Sequence, residues 1–232
     1  MAKEDEFKDK VVLITGAGRG LGRAIAEAFA ARQAIVAAND LTPINLDNTL
    51  ERIISGGGRA KDYIYDVSKK IPVQTMVDLV LTDWGRIDIL VNHAVVRPQA
   101  ALLTMDEWDW QRTLDVNLTG PFLMIQRVGQ VMRYQGGGFI VNLITPVEDA
   151  QEWPGQAAFV ASQAGLLGLT RQAAHELASD HIHVNAVCPE RVAGETSQED
   201  LQPVVEQVLF LCSQASGSMN GQMIYVSSRR RL

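Results

Sequence analysis

Near its start the chain has four glycines at alternate positions, directly after a short apolar run. They are Gly16, Gly18, Gly20 and Gly22, and the apolar residues after them recur at helical spacing. Without side chains, such a turn lets the backbone approach a pyrophosphate, whose charge is attracted by the first N–H groups of a helix. A lone glycine cluster also fits an ordinary tight turn, and the spacing Gly-x-x-x-Gly-x-Gly departs from the commoner Gly-x-Gly-x-x-Gly. Its place between a first strand and a first helix favours a phosphate site.

An acidic residue, Asp40, stands about twenty positions beyond this turn, at the end of the second predicted strand. A carboxylate there accepts hydrogen bonds from both hydroxyls of an adenosine ribose and repels a 2′-phosphate. No basic residue follows Asp40 directly, so the pattern favours NAD(H) over NADP(H). Arg19 is the one cation that argues against this preference. Asp40 also fits the role of a turn residue at a strand end.

Apolar strands alternate with amphipathic helices along the chain. The predicted strands are the run ending at Thr15, then Ala34–Ala38, Asp62–Val67, Ile87–Asn92, Phe139–Leu143, His183–Val187 and Met223–Val226; the predicted helices are Gly20–Arg32, Asn48–Ser55, Met76–Trp84, Trp108–Tyr134, Gly155–Ser179 and Leu201–Ser213. This order predicts a single-domain, doubly wound α/β fold of the Rossmann type, with a seven-stranded, mainly parallel sheet covered by helices on both faces. A ligand is expected at the carboxyl ends of the strands, where the winding reverses.

The whole-chain composition of the 232 residues narrows the classes of function. We expect one domain over residues 1–232, with a charged, frayed start at 1–9 and a polar tail at 227–232. The net charge of -6 argues against nucleic-acid binding, and no apolar stretch approaches the ~20 residues of a membrane helix. Cys188 and Cys212 are expected to be buried, reduced thiols of a cytoplasmic protein, and the histidine spacing predicts no metal site.

Five motifs stand in order along the chain: Thr15–Gly22, Asp66-Val67, Asn92-His93-Ala94-Val95, Trp108 followed by Asp115–Gly120, and Gly221-Gln222. By these motifs the chain resembles the short-chain dehydrogenase/reductase (SDR) family over essentially its full length. The resemblance implies that the Asp66 carboxylate reads the adenine amino group and that Asn117 supports a proton-relay water. The cofactor-binding residues that it implies are Gly16, Arg19, Gly20, Leu21, Gly22, Asp40, Asp66, Val67, Asn92 and Ala94.

The resemblance also implies a serine, a tyrosine and a lysine as the catalytic residues, the last two as Tyr-x-x-x-Lys on one helix face. Hydride transfer at a carbonyl needs a proton donor for the oxygen, and a phenol of pKa ~10 needs a nearby cation to serve at neutral pH. Here Phe159 occupies the tyrosine position and Gln163 the lysine position. Thr145 is the counterpart of the serine, although counting back from Phe159 selects Pro146 instead. None of these residues supplies the family's acid–base chemistry.

Two further departures follow the sixth predicted strand, where Glu190 and Gly194 replace a glycine and a threonine that lie near the nicotinamide in the family. The sequence therefore predicts that the adenosine half of the cofactor site is retained. Binding of the nicotinamide half is in doubt, and no catalytic residue is intact.

These departures favour a non-catalytic or very weakly active homologue that binds NAD(H) and acts as a structural or regulatory subunit. The small residues of the helix Gly155–Ser179 favour close helix–helix contact, so we expect a homo-oligomer (dimer or tetramer) or a hetero-oligomer with an active paralogue. The alternative is an NAD-dependent oxidoreductase of CH–OH donors, acting on an alcohol/ketone pair, in which Thr145, His93 or water relays the proton. A regulator that senses nucleotide level remains a third hypothesis. Turnover of NAD(H) separates the first two.

Overall fold

One parallel sheet of seven strands organises the molecule. A computed structural model describes residues 5–145, 154–189 and 198–226. The strand order across the sheet is β3-β2-β1-β4-β5-β6-β7. The strands are β1 (Val11–Thr15), β2 (Ile35–Asp40), β3 (Arg59–Ile64), β4 (Ile89–Asn92), β5 (Gly138–Leu143), β6 (Ile182–Pro189) and β7 (Met223–Val226). This sheet confirms the predicted fold class.

Helices cover both faces of the sheet. They are α1 (Gly20–Ala30), α2 (Pro43–Ser55), α3 (Lys70–Trp84), α4 (Glu107–Leu114), α5 (Gly120–Gln135), α6 (Ala157–Leu177) and α7 (Gln198–Leu211). Apolar residues of α1, α2 and α7 form one core with one face of the strands. Residues of α3, α5 and α6 form the other core with the opposite face. The central strands are therefore buried on both sides, which is why they are apolar without alternation.

The winding reverses between β1 and β4, which are neighbours in the sheet although two strands separate them in the chain. The chain leaves β1 toward one face and β4 toward the other, so a crevice opens between their carboxyl ends. Gly16 follows β1 and His93 follows β4, which brings the glycine turn and the Asn92-His93-Ala94 motif together.

The third strand begins and ends three residues earlier than the predicted Asp62–Val67. It pairs from Arg59 to Ile64 with β2, in register with Ile35 to Asp40. Because β3 is an edge strand, its exposed positions carry polar residues such as Arg59 and Lys61, and the apolar pattern understates its start. Asp66 and Val67 consequently lie in the loop beyond the strand.

The predicted helix Trp108–Tyr134 is interrupted. Between α4 and α5 the residues Asp115–Thr119 form a π-helical turn. Pro121 explains the interruption, because it has no N–H and in a regular helix its ring would press on the carbonyl group of Asn117 four residues earlier. The wider turn carries Asn117, whose side chain is buried.

The remaining helix predictions differ mainly at their starts. α2 begins at Pro43, α3 begins at Lys70 and α6 begins at Ala157. α2 and α3 begin five and six residues before the predicted starts, and each has a proline in its first turn, where a missing N–H costs nothing. The Gly85 stop of α3 is confirmed, with Gly85 in the left-handed region at φ 77°.

Cys188 and Cys212 are buried thiols, as predicted. Within the described part of the chain, no helix has the length and apolarity needed to cross a bilayer. The same residues contain no group of three or more His, Cys, Asp or Glu side chains arranged to hold a metal ion.

Candidate functional site

A cleft of about 360 Å³ opens at the carboxyl ends of the strands, where the winding reverses. Six of the predicted cofactor-binding residues line it: Gly16, Arg19, Asp40, Asp66, Val67 and Ala94. His93 and Val116, which belong to two of the sequence motifs, line it as well. A larger depression of about 670 Å³ lies at the opposite, amino-terminal ends of the central strands, where Asp88 pairs with Lys10 and Arg86. It contains none of the predicted site residues. The smaller cleft is the candidate site.

The glycine turn brings backbone rather than side chains to the cleft. Gly16 and Gly20 have φ of +69° and +53°, and a Cβ atom on Gly22 would stand 2.1 Å from the carbonyl oxygen of Gly16. Gly22 thus allows α1 to pack on the turn. A Cβ atom on Gly20 would meet no atom within 4 Å, so this side of the turn is open. Since the first N–H groups of a helix have no intrahelical acceptor, this opening fits a pyrophosphate.

Asp40 connects the glycine turn to the end of β2. Its Oδ2 accepts a hydrogen bond from the Gly18 N–H at 3.1 Å, and its Oδ1 accepts one from the Leu41 N–H at 2.7 Å. Asp40 therefore does act as a turn residue at the end of β2. A carboxylate has about four acceptor positions, so the same group retains capacity for ribose hydroxyls.

Two arginines lie at this turn. The Arg23 guanidinium donates to the Gly18 carbonyl oxygen at 2.6 Å and to Thr49 Oγ1 at 3.2 Å, so it stabilises the turn. Arg19 precedes α1, is exposed and lines the cleft. Arg19, the cation that argues against the preference for NAD(H), therefore borders the site.

Asp66, at the other end of the cleft, is held by two neighbours. Its Oδ1 accepts from the Ser68 N–H and hydroxyl at 2.9 and 2.7 Å, and its Oδ2 accepts from Arg112 at 3.2 Å. Burial of Asp66 opposes ionisation, but these hydrogen bonds and the charge of Arg112 outweigh it and hold the pKa of Asp66 below its usual value. Arg112 also lines the cleft, and the sequence prediction missed it because its partner is 46 positions away.

Asn92 does not line the cleft. Its buried amide donates to Asn142 Oδ1 at 2.8 Å, and Asn142 in turn donates to Thr170 at 2.9 Å. This chain of hydrogen bonds links β4, β5 and α6 inside the molecule. The structure thus gives the Asn92 side chain a structural role.

The His93 ring packs against the glycine turn, with Cδ2 2.7 Å from the place of a Gly22 Cβ atom. Burial lowers the pKa of His93 from 6.5 to about 4, and the charge of Asp40 offsets only part of this effect. The imidazole is therefore neutral near pH 7. Its packing against the glycine turn and its low pKa argue against the predicted alternative of a proton relay through His93.

Phe159 and Gln163 are one turn apart on α6 and are both 2% exposed. Gln163 Oε1 accepts a hydrogen bond from the Thr145 N–H at 2.8 Å, which brings together two of the three degenerate positions. The Phe159 ring lies under the Arg97 guanidinium, whose carbon is 5.4 Å from the ring centroid. Neither Phe159 nor Gln163 can donate or accept a proton in a hydride-transfer reaction. Pro146, Glu190 and Gly194 lie outside the described residues.

Asn117 ties the segment after β4 to α6. Its Oδ1 accepts from the Val96 N–H at 2.9 Å, and its Nδ2 donates to the Val96 carbonyl at 2.9 Å and to Ser162 Oγ at 3.1 Å. Ser162 Oγ donates to the Phe159 carbonyl at 2.7 Å. The side chain predicted to support a relay water is thus engaged with protein atoms.

The sequence profile of the family described as short chain dehydrogenase matches residues 10–204. The chain belongs to this family. It is 36% identical over 237 residues to a 3-oxoacyl-acyl-carrier-protein reductase of Thermotoga maritima, with 94% of this chain and 96% of the relative covered. It is 32% identical over 248 residues to a subunit of a succinyl-CoA-derivative dehydrogenase of Thauera aromatica, with 97% and 98% covered. The crystal structure of an NAD⁺-bound xylitol dehydrogenase is similar, with a TM-score of 0.87, 28% identity, and 95% and 98% of the two chains covered.

This family consists of oxidoreductases whose members bind NAD(P)H and are commonly oligomeric. The resemblance stated on the sequence motifs is thereby confirmed at the level of the family.

Proposed function

We propose that this protein is an NAD(H)-dependent oxidoreductase of an alcohol/ketone pair that uses a proton relay other than the family's tyrosine and lysine. The observation that carries the proposal is the open glycine turn, joined to Asp40 in a cleft at the winding reversal. The relatives named as reductases and dehydrogenases support the oxidoreductase part.

In this proposal the adenosine half of the dinucleotide occupies the described cleft. The N–H groups of Gly20, Leu21 and Gly22 would hold the pyrophosphate, Asp40 the ribose, and Asp66 with Val67 the adenine. NAD(H) is preferred because the Asp40 carboxylate would repel a 2′-phosphate, while Arg23 is engaged by Gly18 and Thr49. When bound, the dinucleotide supplies or accepts the hydride.

The proton must then come from a group other than those of the family. Phe159 and Gln163 offer none, and His93 packs against the glycine turn with a pKa of about 4. Thr145 and water remain, with the Thr145 backbone held by Gln163. A hydroxyl that only orients water replaces a tuned acid, so the rate should be lower by about 10²- to 10⁴-fold than with a positioned acid–base group.

A second candidate function is that of a non-catalytic subunit, in a homo-oligomer or beside an active paralogue. The specific observation in its favour is that two of the three degenerate positions have structural contacts: Phe159 lies under Arg97, and Gln163 accepts a hydrogen bond from the Thr145 N–H. The relative from Thauera aromatica is itself named as a subunit. Retained NAD(H) binding would then be structural or regulatory.

The experiment combines turnover with binding. NADH oxidation and NAD⁺ reduction are measured with a panel of ketones and alcohols, and NADH, NADPH and ADP-ribose are titrated by calorimetry. We expect slow but substrate-dependent turnover, and NADH binding more than tenfold tighter than ADP-ribose, about 1.4 kcal/mol. Equal binding of NADH and ADP-ribose without turnover instead supports the second candidate function, that of a non-catalytic subunit. If no dinucleotide binds, both candidates are wrong and the glycine turn is only a structural element.

A matched pair of variants tests the cofactor preference. Asp40→Asn should weaken NADH binding and narrow the difference between NADH and NADPH, because the repelling charge is lost. Asp47→Asn removes the same charge from an exposed position of α2 and should leave both affinities unchanged. Tighter NADPH than NADH binding by the unaltered protein contradicts the preference and assigns Arg19 the decisive role.

A further inference from the structure

Arg112 places a cation in the described cleft, at a point where phosphate binding does not account for it. It belongs to α4 and lines the cleft together with Asp66 and Val67. The negative charge of a dinucleotide lies on its pyrophosphate, which the proposed function assigns to the glycine turn. The Arg112 guanidinium instead pairs with the Asp66 carboxylate, which the same proposal assigns to the base. Arg112 therefore needs an explanation that involves the base.

Hydrogen bonds hold the Asp66 carboxylate from two directions. Arg112 Nη1 donates to Asp66 Oδ2 at 3.2 Å and to Ser68 Oγ at 2.8 Å. Ser68 in turn donates to Asp66 Oδ1 from its N–H at 2.9 Å and from its hydroxyl at 2.7 Å. A carboxylate has about four acceptor positions, so one position on Oδ2 is left without a donor among the described residues. Since Asp66 lines the cleft and its side chain is 26% exposed, the carboxylate remains accessible to a ligand.

The two segments that carry this pair are fixed against each other. Lys69, directly before α3, forms an ion pair of 3.6 Å with Asp115 in the π-helical turn that follows α4. A Cβ atom on Gly120 would stand 3.3 Å from Val67 Cγ2, so the absence of a side chain there lets the loop after β3 pack against the start of α5. The position of the guanidinium beside the carboxylate is therefore set by the fold.

The charge of Asp66 decides which bases it accepts. Burial disfavours the ionised form, but the hydrogen bonds from Ser68 and the charge of Arg112 hold the pKa of Asp66 below its usual value. An ionised carboxylate only accepts hydrogen bonds, so it attracts the amino group of adenine and repels the carbonyl oxygen that hypoxanthine carries at the same ring position. A protonated carboxyl group also donates and would accept either base. Arg112 thus acts on both the charge and the direction of the carboxylate.

We propose that Arg112 is a positioning residue that holds the Asp66 carboxylate for base recognition and so makes the cleft selective for adenine nucleotides. The contact of Asp66 with adenine is implied by the family, and its dependence on an arginine of α4 is the new element. The inference rests on the proposed function in one respect, because the adenosine half of a dinucleotide must occupy this cleft. It does not depend on turnover.

The test compares NADH with reduced nicotinamide hypoxanthine dinucleotide, in which a carbonyl oxygen replaces the amino group of the base. Dissociation constants are measured by calorimetry on the full chain. We expect the unaltered protein to bind NADH about tenfold tighter or more. Arg112→Gln should bring the two affinities to within about twofold, mainly by weakening the binding of NADH. Arg112→Lys should keep an intermediate preference, because an ammonium group retains the charge beside Asp66 but lacks the rigid guanidinium geometry.

Arg52→Gln is the control, since Arg52 is an exposed arginine of α2 that pairs with Glu27 outside the cleft, and this variant should keep the full preference. Equal binding of the two dinucleotides by the unaltered protein, or an unchanged preference in Arg112→Gln, overturns the proposal. A purely structural role of Arg112 would weaken both dinucleotides equally in Arg112→Gln and give Arg112→Lys no advantage, and either result also overturns it. If neither dinucleotide binds, this proposal and the proposed function fail together. If adenine is preferred but no ketone or alcohol is turned over, the proposed oxidoreductase fails while the role of Arg112 stands.

Discussion

At the scale of the residue, Gln163 fills the lysine position of the family with a side chain that serves the fold. It is buried, and its carbonyl oxygen accepts the Thr145 N–H. Phe159, one turn earlier, is a buried ring whose face lies under the Arg97 guanidinium. Such replacements are not neutral losses, because each new side chain now satisfies or covers a neighbour.

Restoring the pair tests how far the site has diverged. In Phe159→Tyr/Gln163→Lys, a buried ammonium replaces an amide and the Thr145 N–H loses its acceptor, so the free energy of unfolding should fall by about 3 kcal/mol. The tyrosine and lysine should at the same time raise the slow turnover of NADH with a ketone. Denaturant unfolding and an NADH absorbance assay measure the two effects.

Gln172→Lys makes the same chemical change at an exposed position of α6 and should alter neither quantity. A folded double variant without any gain in turnover would show that the substrate pocket has been lost together with the acid–base pair.

His93 predicts a pH dependence of stability. The unfolded chain binds a proton at about the ordinary pKa of 6.5, whereas the folded chain binds it only at about 4. Between these values the unfolded state holds more protons, so stability declines as the pH falls from 6.5 toward 4. The loss due to His93 should reach about 3 kcal/mol at pH 4.

His93→Asn should remove this part of the pH dependence, which urea unfolding between pH 4 and 7 measures. His175→Asn, an exposed histidine of α6, should leave the profile unchanged. Identical slopes for His93→Asn and the unaltered protein would mean that His93 is protonated equally in both states.

At the scale of the element, the strand–turn–helix unit of β1 and α1 separates packing from binding. Gly22 faces the Gly16 carbonyl, so Gly22→Ala would bring its new Cβ to 2.1 Å from a backbone atom that cannot move aside. We expect a loss of about 2–4 kcal/mol in the free energy of unfolding. Gly20 faces open space, so Gly20→Ala should cost only about 1 kcal/mol for its positive φ and instead weaken NADH binding.

Gly57→Ala is the matched control for Gly20, since Gly57 also has a positive φ, of +81°, and open space around its Cβ position. It should show the same small loss of stability with unchanged NADH binding. If Gly20→Ala binds NADH as tightly as this control, the pyrophosphate does not lie on the glycine turn.

At the scale of the whole molecule, the outer faces of α5 and α6 are suited to a second subunit. Three small residues of α6 are exposed along one stripe, namely Ala161, Ala164 and Gly168. Phe122 of α5, 44% exposed, borders a groove of about 340 Å³ between the two helices. Because family members are commonly oligomeric, we propose that these helices form the subunit interface.

Ala164→Arg should shift the protein from an oligomer to a monomer, because a long charged side chain prevents close helix–helix approach. Light scattering after size exclusion measures the mass. Ser55→Arg adds the same side chain at an exposed position of α2 and should leave the mass unchanged. A monomeric unaltered protein, or an oligomer that Ala164→Arg does not alter, contradicts this interface.

The sequence by itself determined the features that depend on local periodicity. The alternation of strands and helices, the glycine turn, Asp40 at the end of β2 and the buried cysteines follow from residue type and spacing. The placement of Phe159 and Gln163 on one face of a helix also follows from the sequence, because they are four positions apart whatever the helix packs against. The edge strand β3 was predicted three residues too late, because its exposed positions carry polar residues. The π-helical turn was not predicted, although its cause, Pro121, is visible in the sequence.

Only the tertiary structure decided which distant groups meet. Arg112 reaches Asp66 across 46 positions, Gln163 bonds to Thr145 across 18, and Arg97, in the segment after β4, lies over Phe159 of α6. The depressed pKa of His93 likewise arises from burial against the glycine turn. Burial, electrostatic pairing and pKa depend on distance and on the exclusion of water, and both are set by the packing of segments that are remote in the chain.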